Sequence, residues 1–362
     1  MNIPFVDLKA QYESIKEDID HAIASVLSQS RFVGGEIVKE FETSFAQYLE
    51  VDSCVGVANG TDALEIALQS LGIGQGDEVI VPALSWVSTA LAVNNVGAEP
   101  VFVDVIEREK TIDPVLIEEK ITPRTKAIIP VHLYGLPARM GELMAMAGKH
   151  ELKVIEDCAQ AHGAEVDGKK VGHFGVLATF SFYPSKNLGA YGDAGAIVTN
   201  NVELGSAVRR LSNLGQTEKH DHRILGKNSR LDTLQAAILK AKLPHLDKWI
   251  NGRIQVSQWY DKFLKVGVKP MVPDHMKHVF HLYVVQHLHR GKLIEALDSA
   301  NIGHSIHYPK PLPFLDCYAY KGHLKGQFPV AEKLCKEVIS IPMFAELKED
   351  QVKEVCSIIN KV

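Results

Sequence analysis

The stretch Ala178-Thr179-Phe180-Ser181-Phe182-Tyr183-Pro184-Ser185-Lys186-Asn187-Leu188-Gly189 carries an apolar, β-rich run out to Phe182, a proline that breaks it, and a lysine in a loop of small residues. Gly192 and Gly195 follow before the next apolar run. A lysine set just beyond a buried strand is partly desolvated, which lowers its pKa and frees its lone pair for attack on an aldehyde. Taken alone, the segment is most simply a solvated loop lysine. A second stretch, Lys153-Val154-Ile155-Glu156-Asp157-Cys158-Ala159-Gln160, puts Asp157 at the carboxyl end of a buried strand, where ligands of open α/β sheets collect. A carboxylate there can hold a cationic partner such as a protonated pyridine nitrogen; it can equally cap a following helix. Gln160, on the same loop, can donate to a ring oxygen.

A third stretch, Ala58-Asn59-Gly60-Thr61-Asp62-Ala63-Leu64, joins a strand to a helix with Ala63, Leu64, Ala67, Leu68 and Leu71 on its apolar face. Gly60 removes a side-chain barrier, so free N–H groups at the helix start and the Thr61 hydroxyl can converge on an anion such as phosphate. Asn-Gly is also an ordinary turn. Ser85-Trp86 follows the run Glu78–Pro82 at the same sheet edge, and an indole there can stack on a planar ring or simply pack in the core. Anion cradle, stacking aromatic, carboxylate and lysine, all on strand ends of one sheet, are what pyridoxal 5′-phosphate requires: donors for its phosphate, a face for its ring, a negative charge at its nitrogen and an amine for its aldehyde. The conjunction is far more specific than any member.

These residues must be positioned by an α/β scaffold. The chain has 362 residues, enough for about two domains. Its 39 Lys plus Arg against 44 Asp plus Glu give a formal charge of −5, which argues against a nucleic-acid binder relying on a large basic field. No run approaches the ~20 apolar residues of a membrane span, the start of the chain does not read as a secretory signal, and five widely spaced cysteines without a Cys-x-x-Cys pair fit a reducing cytoplasm. Strands are expected at Cys54–Ala58, Glu78–Pro82, Pro100–Val105, Ala127–Val131, Lys153–Glu156, Ala178–Phe182 and Ala196–Thr199. Most are continuously apolar, as where helices cover both faces of a sheet. Helices are expected at Asp62–Leu71, Val87–Val96, Val115–Lys120 and Gly141–His150, with Asp113-Pro114 as a capped start. Leu231–Leu264 reads as one long helix kinked at Pro244. Beyond it Val279–His289 and His304–Tyr308 read as strands, Leu293–Ser299 and Val330–Ile339 as helices. The expected organisation is a large domain over residues 1–245, including an N-terminal helical segment, and a smaller α/β domain over 246–362.

The chain resembles the sugar aminotransferases of the fold-type I pyridoxal-phosphate enzymes, the DegT/DnrJ group, over nearly its whole length. The matching motifs are Pro4-Phe5-Val6-Asp7-Leu8, Phe32-Val33-Gly34-Gly35, Phe41-Glu42, Asn59-Gly60-Thr61-Asp62-Ala63-Leu64, Gly76-Asp77-Glu78-Val79-Ile80 and His132-Leu133-Tyr134-Gly135. Glu156-Asp157-Cys158-Ala159-Gln160, Ser181-Phe182-Tyr183-Pro184-Ser185-Lys186, Asn228-Ser229-Arg230-Leu231-Asp232 and His307-Tyr308-Pro309-Lys310-Pro311-Leu312 complete the series. The resemblance implies a large domain with a mixed, mostly parallel sheet covered by helices. It also implies roles: Lys186 as the lysine that bonds the cofactor aldehyde, Asp157 as the partner of the pyridine nitrogen, and Gln160 near the ring hydroxyl. Gly60, Thr61 and Ser181 match phosphate ligands, and Trp86 the stacking aromatic. Asn228 matches an asparagine that reaches the phosphate of the neighbouring subunit, so a homodimer with shared active sites is implied. Tyr183, Arg230, His307 and Tyr308 are the candidate substrate contacts.

The resemblance further implies transfer of an amino group from L-glutamate, or glutamine, to a ketone of a nucleotide-linked sugar. Asn-Ser-Arg-Leu-Asp at 228–232 resembles several enzymes that aminate C3, whereas C4 enzymes commonly read Asn-Tyr-Arg there, so a 3-keto sugar on dTDP or UDP is expected, made for a surface polysaccharide or related glycan. Relatives with histidine in place of this lysine act as sugar dehydratases; Lys186 points to amination instead. A cofactor-binding sensor without turnover is the alternative from another class, expected to carry an added DNA-binding segment. Pro313 departs from the histidine that many relatives have after Pro-x-Pro-Leu. His220, His222, His278 and His281 lack a converging third ligand in the sequence, and no metal is expected.

Overall fold

The computed structural model describes residues 2–362. Its centre is a seven-stranded sheet in the spatial order Ser53–Val57, Gly195–Thr199, Leu177–Ser181, Lys153–Asp157, Thr125–Ile128, Glu78–Pro82, Glu99–Val103. Gly195–Thr199 runs antiparallel to both its neighbours, and the remaining pairings are parallel. Alternation along each strand divides the side chains between two buried faces. Val55, Val57, Val79, Val81, Ile155 and Ile197 enter one core with Ala63, Leu64, Ala67 and Leu68 of the Gly60–Ser70 helix. Cys54, Ala178, Phe180, Ala196 and Val198 enter another with Phe41, Phe45 and Leu239, while Ile80, Ile128 and Val154 join Met140, Leu143 and Ala147 in a third. Coverage on both faces is why these strands read as unbroken apolar runs.

Register brings the chemistry to one edge. Val57 and Ser181 both pair with Gly195, and Asp157 pairs with Thr179, so the turn at Asn59-Gly60, the end of the Leu177–Ser181 strand and the Asp157 carboxylate converge beyond the same strand ends. A side chain at Gly195 would place its Cβ 2.6 Å from the Asn59 carbonyl carbon, so glycine is what lets the turn settle there.

All seven expected strands of the large sheet are present, Glu78–Pro82 with the expected ends and the others with ends displaced by at most three residues. The long expected helix consists of Thr233–Lys242 and Leu246–Phe263 joined by a 3₁₀ turn at Leu243–His245, where Pro244 supplies no amide hydrogen. Three expectations are corrected. Val115–Lys120 forms two 3₁₀ turns, Pro114–Leu116 and Glu118–Lys120, rather than a helix. His304–Tyr308 is no strand: only Ser305 makes a bridge, to Ser340, before Pro309 and Pro311 bar continuation. The helix expected over Val330–Ile339 is Pro329–Glu337, and the chain then becomes the strand Val338–Ile341, which pairs antiparallel with Tyr283–Gln286. An apolar run looks the same at a helix end and in a buried strand, so periodicity did not separate them. Tyr260, Tyr283, Val285, Leu293, Ile339, Val352 and Val355 build the core of this C-terminal part, and Ile3 joins it, accepting from the Gly303 amide at 2.8 Å.

Candidate active site

A cavity of about 590 Å³ opens over the carboxyl ends of the strands. Gly60, Thr61, Trp86, Asp157, Gln160, Ser181, Tyr183, Lys186, His307 and Tyr308, ten of the twelve residues singled out from the sequence, line it. Asn228 and Arg230 do not: both are exposed on the segment that follows the hairpin Gln216–Glu218 and Asp221–His222.

Lys186 faces Asp157 across this cavity. Burial pushes the Lys186 ammonium down to about 8 against the opposing pull of the Asp157 charge, so at neutral to mildly basic pH a useful fraction is free amine. Burial pushes the Asp157 carboxyl up. The Ala159 amide, 3.1 Å from Oδ1, the Thr89 hydroxyl, 2.9 Å from Oδ2, and the Lys186 charge work the other way. Glu156, one residue earlier, points to the opposite side of the strand. Burial would raise its pKa, but hydrogen bonding to His132 and the amides of Gly175, Gly172 and Phe174 holds it below the usual carboxylate range. Because Ala138 N–H donates to His132 Nδ1, the proton of His132 sits on Nε2 and is given to Glu156, while the His132 amide donates to the Asp157 carbonyl. Glu156 is therefore a buried anchor for the strand end that presents Asp157. His132, Glu156 and Cys158 lie close enough to suggest a metal site, but His132 and Glu156 are already committed to these hydrogen bonds, and burial pushes the Cys158 thiol up.

The anion cradle is built at the start of the Gly60–Ser70 helix. Asn59 caps it, its side chain accepting from Asp62 N–H at 2.8 Å, while the amides of Gly60 and Thr61 have no protein partner among the described residues. A Cβ at Gly60 would stand 2.8 Å from the Ser181 Cβ, so the turn and the strand end close on each other only because position 60 is glycine. The Thr61 hydroxyl donates to Ser88 Oγ at 2.8 Å. Two free amides at a helix start, with hydroxyls at Thr61, Ser88 and Ser181 around them, fit a phosphate. Trp86 is 57 % exposed and its ring lies 5.7 Å from that of Tyr308, leaving an indole free to cover a planar ring. Free amides, an indole and a buried carboxylate beside an amine make a donor set that fits pyridoxal phosphate.

Gln160 is held at both ends: Oε1 accepts from the Tyr134 amide at 2.8 Å and Nε2 donates to the Tyr308 hydroxyl at 3.0 Å, which leaves one N–H for a ring oxygen. The Tyr134 hydroxyl donates to the His307 carbonyl, so the loop at His307-Tyr308 is tied twice to segments that follow the strands Thr125–Ile128 and Lys153–Asp157. Tyr134 has φ 60°, a left-handed conformation uncommon for a tyrosine and found where surrounding structure enforces it. His307 gives or accepts a hydrogen bond with Ser340 Oγ at 2.8 Å and is pushed down to about 4 by burial and the Lys186 charge.

Several site residues escaped the sequence reading. Ser88 and Thr89 begin the helix after Trp86, and one turn of helix is enough to bring Thr89 onto Asp157; a Ser/Thr pair after the stacking aromatic was the available signal. His281 lines the cavity as a neutral imidazole, its pKa lowered by burial and by Lys186, and its carbonyl accepts from the buried Arg253 at 3.3 Å. Lys227 donates to Asp62 at 2.6 Å and Glu65 at 2.5 Å, mooring the Asn228 segment to the helix whose start forms the cradle. Pro313 lies buried in a 3₁₀ turn, Leu312–Phe314, and does not line the cavity.

The model of the DegT/DnrJ/EryC1/StrS aminotransferase family matches residues 13–360. Among curated proteins the chain is 46 % identical to a "pleiotropic regulatory protein" of Geobacillus stearothermophilus over 356 residues, covering 97 % of this chain and 96 % of that one. It is also 46 % identical to a UDP-N-acetyl-3-dehydro-α-D-glucosamine 3-aminotransferase of Acidithiobacillus ferrooxidans over 362 residues, covering 99 % and 97 %. Among solved structures, that of Streptomyces venezuelae DesV in complex with a ketimine intermediate superposes with a TM-score of 0.97 at 42 % identity, covering 99 % of this chain and 98 % of that one.

Proposed function

Because the chain belongs to the DegT/DnrJ/EryC1/StrS aminotransferase family, we propose that it transfers an amino group from L-glutamate to the C3 ketone of a dTDP- or UDP-linked sugar, using pyridoxal 5′-phosphate. The observation that carries this reading is the amine of Lys186 facing the buried carboxylate of Asp157 in one cavity with the unpartnered amides of Gly60 and Thr61. The relative from Acidithiobacillus ferrooxidans is named for amination at C3 of a UDP-sugar, which supports the carbon; the resemblance of Asn228-Ser229-Arg230-Leu231-Asp232 to several C3 enzymes of the family points the same way.

The cofactor, when bound, supplies an aldehyde that takes up nitrogen and a ring that draws electrons from the adjoining carbon. The chain supplies the rest. Lys186 Nζ removes the proton from the α-carbon of glutamate and, on a flexible stem, carries it within reach of a second carbon. Asp157 holds a cationic ring nitrogen, Thr89 and Ala159 orient it, and Trp86 covers the ring. Gly60, Thr61 and Ser181 hold the phosphate. Tyr183, His307 and Tyr308 border the space left for the sugar.

Asn228 and Arg230 serve the site of a second copy in a homodimer. Their exposure outside the cavity supports this, as does Leu225, 98 % exposed on the same segment. No helix among the described residues is long and apolar enough to cross a membrane, and we place the enzyme in the cytoplasm, supplying an amino sugar for a surface polysaccharide or related glycan. The regulatory name of the Geobacillus stearothermophilus relative keeps a sensor role as the second reading. One experiment separates them. The purified yellow protein should bleach with glutamate and regain colour with a 3-keto nucleotide sugar, tested against a panel of 3-keto and 4-keto dTDP- and UDP-sugars. Recovery only with 4-keto sugars would overturn the carbon assignment, and binding without bleaching would favour the sensor.

A further inference from the structure

We propose that the Thr233–Lys242 helix fixes the Lys186 loop from outside the cavity, with Lys242 and Gln235 acting as positioning residues for the Lys186 amine. Lys242 is fully buried, at 0 % exposure, with no carboxylate in salt-bridge contact among the described residues. Its Nζ donates to the Gly189 carbonyl at 2.8 Å and to Gln11 Oε1 at 3.2 Å, and lies 4.2 Å from the centre of the Tyr191 ring. Nearly two helical turns earlier, Gln235 Oε1 accepts from the Tyr191 amide at 2.9 Å. The helix thus grips the loop at a carbonyl and at an amide two residues apart.

That grip bears on Lys186 because the loop is a closed unit. Ala190 N–H donates to the Phe182 carbonyl at 2.7 Å, closing the neck, and Lys186 N–H donates to Tyr183 at 2.8 Å. Gly189 lies so close under Pro184 that a Cβ there would be 2.3 Å from the Pro184 carbonyl oxygen; displacing Gly189 displaces Pro184-Ser185-Lys186. Asn187 holds the far side, donating to the Val279 carbonyl at 2.9 Å. A buried ammonium without a counter-charge is an expensive way to reach two oxygens, and an apolar side chain would avoid the desolvation. What a charged donor gives in exchange is a stronger hold on the Gly189 carbonyl and attraction to the Tyr191 face.

The proposal rests on Lys186 being the reacting amine, and its test is kept separate from that reading. Competitive labelling of the cofactor-free protein with acetic anhydride, read by peptide mass spectrometry, gives the pH midpoint of each lysine. The charged and titratable groups facing Lys186 are Asp157, His162, His281 and His307; those around Lys242 are the Tyr191 phenol and, beyond it, Tyr12 and Asp20. Lys242→Met is expected to admit water to the loop and raise the Lys186 midpoint by about one unit from about 8, with kcat of the loaded enzyme down about tenfold and KM for glutamate within about twofold. Lys242→Arg, which keeps charge and donors, should hold the wild-type midpoint. A folded Lys242→Met protein with unchanged midpoint and kcat overturns the proposal. Should Lys242→Met not fold, Gln235→Leu removes only the Tyr191 acceptor; an unchanged midpoint there overturns it too. Borohydride trapping of the loaded wild type on a different lysine would instead defeat the assignment of Lys186 as the reacting amine.

Discussion

The Thr89 hydroxyl donates to Asp157 Oδ2 at 2.9 Å and shares a second hydrogen bond of 2.9 Å with Ser85. The helix that begins just after Trp86 therefore also aims the carboxylate. Thr89→Val keeps the shape and deletes the donor. Asp157, already above its ordinary value through burial, should rise further, so the ionised form is lost at a higher pH and the acid limb of the kcat profile moves to higher pH. We expect kcat about tenfold lower at neutral pH, with Thr89→Ser close to wild type, as checked by steady-state pH profiles of the three proteins.

Asp157→Asn removes the charge itself. A neutral amide cannot keep a ring nitrogen protonated, and we expect the rate of bleaching by glutamate in single turnover to fall by about two to three orders of magnitude. A loss of only a few-fold would mean that Asp157 does not face the ring nitrogen.

Asp157, Lys186 and Gly60 were readable from sequence because each sits where an apolar run ends, and a sheet with both faces covered writes its strands as such runs. The sheet was readable for the same reason. What escaped reading depended on long-range approach. Thr89 is ordinary helix sequence until the fold brings it to Asp157, 68 residues on. Lys242 looks like the basic end of an amphipathic helix until packing buries it against Gly189. His281 was visible only as one of two spaced histidines. The strand Val338–Ile341 was hidden because its apolar residues continue the pattern of the helix before it.

In the proposed homodimer the Asn228 amide serves the neighbouring subunit, and on that reading Asn228→Ala should weaken cofactor retention. Mixing unfolded and refolded Asn228→Ala with Lys186→Ala provides the sharper check. Mixed dimers contain one site with Lys186 of one chain and Asn228 of the other intact, so activity should reappear in a mixture of two impaired proteins. A mixture no more active than its components would place Asn228 in its own subunit's site or in none.

Lys242 also predicts a pH-dependent stability difference. Burial lowers its folded-state pKa to about 8, below the ordinary value of 10.5. Between these values the unfolded chain binds the extra proton, so the penalty for burying the charge is fully present below pH 8 and is relieved as pH rises toward 10.5. Denaturant melts of the cofactor-free proteins should show wild type gaining on Lys242→Met as pH goes from 7 to 10. A constant difference across that range would mean that Lys242 titrates normally and is not buried as a cation.

The most direct measurement is reduction of the yellow, cofactor-loaded protein with borohydride, followed by digestion and peptide mapping. A single modified residue, Lys186, is expected, and a Lys186→Ala protein should be folded by circular dichroism, take up no label and transfer no nitrogen. Label on any other side chain, or near-normal turnover by Lys186→Ala, would contradict this.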